Sequence, residues 1–239
     1  MASHPRVLRG FERRLYAWGA AVAVLVVLAG FARTYYLKLA FGTPPISMLL
    51  HVHGVVMSLW FALFIVQVRL VATGRTGLHR RFGVFGALLA VAVLVLGSMV
   101  AITGARLGHA PPGPPPLVFL AIPLGDMLVF AMLVGAALWF RRRSDVHKRL
   151  MLLACVGLLT APIARIPWAP LQHGGIVAFF LVTLALVAAC VAWDSIVHRR
   201  LHPAFAWGAA LVVLSWPLRL ALSQTPQWQE FAGWLAHQA

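Results

Sequence analysis

Apolar residues in this chain run in blocks of about twenty, broken by short segments rich in arginine, proline and glycine. A helix rises about 1.5 Å per residue, so about twenty apolar residues match the hydrocarbon core of a bilayer. Seven such blocks stand at about 15–37, 47–71, 82–104, 117–140, 149–166, 175–197 and 204–222. Lipid cannot hydrogen-bond an exposed backbone, so each block is expected to be helical. The fold class is all-α: one seven-transmembrane-helix bundle over residues 1–222, followed by a tail over 223–239.

The connections are short. The segment from His109 to Pro116 is dominated by proline and reads as a stiff spacer. In the tail, Trp228, Phe231, Trp234 and Leu235 share one helical face, the pattern of an amphipathic helix lying in the membrane interface. Tyr35, Tyr36 and Trp168 are expected in the same aromatic belt.

Composition sharpens this picture. The chain is 62% hydrophobic and 10% charged, too little charge to cover a water-facing surface of this size. The net charge of +15 would point to nucleic acid in a soluble protein. Here the basic residues sit between apolar blocks, so they report topology and no nucleic-acid partner is expected. Arg33, Lys38, Arg106, Arg165 and Arg219 fall on one side of the bundle, and the other fifteen of the twenty Lys and Arg residues on the opposite side. The richer side is cytoplasmic by the positive-inside rule, which puts the N-terminus in the cytoplasm and the C-terminus outside. The expected location is a bacterial inner membrane. The basic N-terminal segment runs into an apolar block without a small-residue cleavage site and reads as the first span. Cys155 and Cys190 each stand alone in an apolar block, without metal-site or disulfide spacing.

Three turns on the cytoplasmic side share one pattern, apolar–His–basic–basic–apolar: Leu78 to Phe82, Val146 to Leu150, and Val197 to Leu201. One reading is a repeat of three helical hairpins after a lone first span. The other is that basic pairs gather at such turns anyway, although that leaves the histidines unexplained.

The histidines divide by depth. His51, His53, His109 and His173 belong to the outer end and His79, His147, His198 and His202 to the inner end. His51 and His53 are two apart on a helix and point about 200° away from each other. His51 shares its stripe with Gly54, Ser58 and Ala62, small residues suited to close helix contact, and His53 with Met57, Trp60, Phe64 and Gln67. Both stand in the first turns of their span, with Ser47 as the expected cap after Pro44 and Pro45. Neutral imidazoles there suit a metal; the competing reading is an interfacial histidine bonded to headgroups. His79 and His147 each open a span and precede two basic residues, a set suited to haem iron with propionates nearby. Basic turns that bind lipid headgroups are the competing reading. His198 and His202 are weaker ligand candidates, and His4 and His237 carry no signal.

Asp126 alone among the five acids lies deep inside a span. A carboxylate at that depth needs a partner, a proton or a wet cavity. The candidate partners are Arg33, Arg165, Arg219 and His51, and the role is either proton handling or an ion pair that fixes helix register. Arg33, Arg165 and Arg219 stand near the outer ends of their spans. They either converge on an anionic ligand, a propionate or a quinone oxygen, or reach separately to lipid phosphates. Asp194 is expected to pair with His198, four residues on. No Walker loop, nucleophilic-serine elbow, HExxH or CxxC motif occurs.

His51 or His53 in span 2, followed by His79 at the head of span 3, resembles the two-haem transmembrane cytochrome b family of the ascorbate-linked kind. That resemblance implies histidines on successive helices holding b haems across a bundle. The turn His147-Lys148-Arg149-Leu150-Met151-Leu152 resembles uncharacterised bacterial multi-pass membrane proteins associated with respiratory oxidases. Together these likenesses cover about a third of the chain. The cytochrome family also needs a histidine inside its fourth core helix, where span 4 here carries Asp126. One haem, a quinone site or no cofactor therefore all stay open.

The leading expectation is a redox-linked membrane protein holding haem b or quinone. His51 or His53 serves its outer site, His79 with His147 its inner site, and Asp126 couples protons. Its partners are the lipid bilayer and respiratory-chain proteins. The alternative is a transporter, lipid-binding protein or respiratory-complex assembly factor with an Asp126/arginine pocket. Whether either kind of protein is an enzyme is left open.

Overall fold

The computed structural model describes residues 5–111 and 113–238. His4 and Pro112, and the side chains of Arg6 and Arg9, lie outside the described residues. The described residues form helices joined by short turns, with no strand. In order the helices are α1 (Pro5–Phe31), α2 (Met48–Ala72), α3 (Thr76–Arg106), α4 (Pro116–Trp139), α5 (Ser144–Gly157), α6 (Thr160–Ile163), α7 (Ala169–His198), α8 (Pro203–Ser223) and α9 (Pro226–Gln238). A π-helical turn over Ala32–Tyr36 extends α1. Seven stretches among these are long and apolar enough to cross a membrane, and they coincide with the seven blocks of the sequence. Large apolar side chains cover the outside of α3 at helical spacing, where Val84, Leu88, Val91, Val95 and Met99 are all exposed. A water-soluble domain hides such a stripe; lipid solvates it.

Local chemistry sets several helix ends. Ser47 caps α2, its hydroxyl accepting from the Leu50 amide at 3.3 Å. Gly74, at φ +76°, makes the tight turn from α2 to α3. Gly175, at φ +55°, breaks the helical path inside α7, a backbone state that a side chain would strain.

The bundle packs around α5, which is the least apolar of the spanning stretches yet the most buried. Leu150, Leu152, Leu153, Ala154 and Cys155 lie almost fully inside. The fifth block is not one continuous helix: α5 stops at Gly157, two turn residues intervene, and α6 resumes at Thr160. Pro162 contributes by lacking an N–H for the ladder. The break lets α1 come close, with Gly30 packed directly on the Pro162 carbonyl.

The tail helix α9 docks on the bundle. Trp228 is buried, its indole N–H donates to the Leu117 carbonyl at 2.8 Å, and Ala232 closes the contact against α3 and α4. Phe231 and Trp234, stacked on each other, stay exposed. The sequence groups Trp228 with those two, but Trp228 instead anchors the helix to protein.

Candidate functional site: paired imidazoles at one end of the bundle

The α2–α3 turn, the start of α5 and the end of α7 meet at one end of the bundle. His79 stands in the first turn of α3 and His147 in the first turn of α5. Their rings come together with centroids 6.2 Å apart and planes at 80°. The Nδ1 of His147 lies 2.8 Å from the Ala137 carbonyl in the last turn of α4. A carbonyl only accepts, so this nitrogen carries the proton, and in the neutral ring the lone pair is then on Nε2. The Nδ1 of His79 is buried with no hydrogen-bond partner. Gln67, one turn before the end of α2, donates from Nε2 to the His79 carbonyl at 3.2 Å, and its own Oε1 is buried without a partner.

The third His–basic–basic turn does something else. His198 Nδ1 lies 2.8 Å from the Asp194 carbonyl and 3.4 Å from its carboxylate, the local pair that the spacing implies. The main partner of Asp194 is Arg149, through a two-pronged contact of 3.0 and 2.7 Å. The side chains of this pair are 2% and 0% exposed. Arg149 also donates to the Asp145 carbonyl at 2.8 Å. His202 caps α8 by accepting the Ala204 amide on Nδ1, while its Nε2 lies 3.2 Å from Asp145. An open cleft of about 200 Å³ runs past Asp145, Arg149 and His202. The Arg149–Asp194 pair is absent from the expectations above. Its signal is an acid inside the apolar run Val191 to Val197, which needs a buried cation.

No family model, curated protein or solved structure matches this chain. The site must therefore be read from its own residues.

At the opposite end the expected residues separate. His51 is exposed, with the Tyr35 ring 5.9 Å away, and its carbonyl accepts from the Tyr35 hydroxyl. His53 turns inward, and its Nδ1 is buried without a hydrogen-bond partner, within electrostatic range of Arg165. Neither ring contacts another histidine among the described residues. Arg33 lies over the Phe41 ring at 5.0 Å. Arg165 lies over Phe31 at 5.0 Å and donates to the Ala161 carbonyl. Arg219 bonds Asp126 at 2.5 Å, the Ile122 carbonyl at 3.2 Å and Ser215 at 3.0 Å. The three arginines thus take three different partners and do not converge. Of the four candidates for Asp126, the structure selects Arg219. The space beside this pair, also reached by Thr160 and Thr183, is about 10 Å³, roughly one water.

The donor set narrows what the paired imidazoles can hold. Among the described residues no group of three or more His, Cys, Asp or Glu side chains gathers in metal-binding geometry. Structural zinc takes four protein ligands and catalytic zinc three. Haem iron takes four nitrogens from its own macrocycle and needs only axial ligands from protein. Two imidazoles, one with its outer nitrogen already fixed on a carbonyl, match that requirement.

Proposed function

We propose that this protein is a redox-linked integral membrane protein that binds a b-type haem through His79 and His147. One observation carries the reading. Two histidines 68 positions apart in the sequence meet ring to ring, with no third ligand-type side chain gathered beside them among the described residues. Bound haem supplies one-electron transfer. The protein supplies axial nitrogens and a basic surround, with Arg80 and Arg81 directly following His79. By the excess of Lys and Arg, this end faces the cytoplasm, and a bacterial inner membrane is the setting we infer. Respiratory-chain proteins are the partners that such chemistry requires.

Asp126 has a supporting role in this reading. Its carboxyl is bound to Arg219, and the adjoining space of about 10 Å³ has room for about one water, less than a transporter's ligand pocket needs. The pair pins α4 to α8.

The test is substitution at four histidines. His79→Ala and His147→Ala each lose the haem absorbance, while His51→Ala and His53→Ala keep it. Full haem content in both His79→Ala and His147→Ala overturns the proposal.

A further inference from the structure

Buried polar groups pair, and those that do not need an explanation. Two of the unpartnered atoms in this structure stand on residues already joined to each other: Oε1 of Gln67 and Nδ1 of His79. The orientation of the Gln67 amide is fixed by chemistry. Its other end faces the His79 carbonyl at 3.2 Å, and only the NH2 can donate there. The oxygen is therefore the end left over, an acceptor without a donor. On the residue that this amide holds, the imidazole Nδ1 is a donor without an acceptor when it carries the proton.

The two groups are complementary but not bonded as they stand, and we propose that Gln67 sets the tautomer of His79: its Oε1 takes the Nδ1 proton through one bridging water or a small turn of either side chain, and leaves Nε2 as a lone pair. His147 is already fixed the same way by the Ala137 carbonyl. Both rings of the pair then offer Nε2 at once, the state in which imidazole ligates a metal. Gln67 is a positioning residue and touches no cofactor itself. Its relevance to haem rests on the function proposed above, but the tautomer does not.

The test uses full-length protein labelled with 15N-histidine in detergent micelles, with His79 assigned by comparison with His79→Asn. Nitrogen shifts distinguish a protonated from an unprotonated ring nitrogen without any cofactor. At neutral pH the wild type is expected to show Nδ1–H and bare Nε2 at His79. Gln67→Leu moves His79 toward Nε2–H and weakens haem uptake by the apoprotein about 10–100-fold, the usual scale for losing such a supporting bond. An Nε2–H tautomer in the wild type overturns the inference, and that result does not depend on whether Gln67→Leu folds. An unchanged tautomer in Gln67→Leu also overturns it, leaving Gln67 as a clasp between α2 and α3. The expected tautomers in a protein that takes up no haem would sink the haem reading and leave this inference standing.

Discussion

Arg149 and Asp194 place a full charge pair in the most buried part of the chain. Such a pair gains little net stability over an apolar one, but breaking it strands a charge. Arg149→Met or Asp194→Asn alone is expected to cost about 3–5 kcal/mol. The double substitution Arg149→Met/Asp194→Leu should recover most of that, measured as thermal unfolding in detergent. A loss in the double equal to the sum of the two single losses would mean the pair is not coupled. His202 sits beside this network and is held below its ordinary value of 6.5, first by burial and then by Arg149. The hydrogen bonds agree: Nδ1 accepts the Ala204 amide, so a second proton there would break the cap. The unfolded chain takes up that proton more readily, so His202 makes stability fall as pH drops below about 6.5. In His202→Asn, which keeps a capping side chain, this acid-side loss should shrink. At this scale the sequence was partly legible. Asp126 demanded a buried partner by depth alone, and the spacing of His51 and His53 put them on opposite faces, as the exposed and inward-turned rings show. That Asp194 prefers Arg149, 45 positions away, was not legible, because only tertiary packing brings α5 against the end of α7.

Helix contacts set the next scale. Gly30 has the Pro162 backbone against the place where a Cβ would stand, and backbone there cannot yield. Gly97 meets the end of Met127, a flexible side chain that can turn aside. Gly30→Ala should therefore destabilise by about 1–3 kcal/mol and Gly97→Ala by clearly less. Comparable losses at both would contradict the close α1–α6 contact. The seven apolar blocks made these helices easy to place, since each is long and apolar enough to cross a membrane, where a helix satisfies its own backbone. The break between α5 and α6, and the π turn after α1, were hidden. Each depends on what packs beside it, and hydropathy averages over such local departures.

For the whole molecule, the sequence showed which histidines share an end of the bundle, because length along a helix is depth. Of the three His–basic–basic turns it put forward those of His79 and His147, each at the head of a span, and ranked His198 behind them. His79 and His147 meet across α3 and α5, while His198, with the same flanking residues, is held by Asp194. The central claim is that the meeting pair is a haem site. Its most direct test is the reduced-minus-oxidised visible spectrum, with iron content, of protein purified from cells replete in haem. The account predicts a Soret band, a sharp reduced α band and about one haem per chain for a pair of imidazole ligands. A colourless, iron-free protein from the same cells would contradict it.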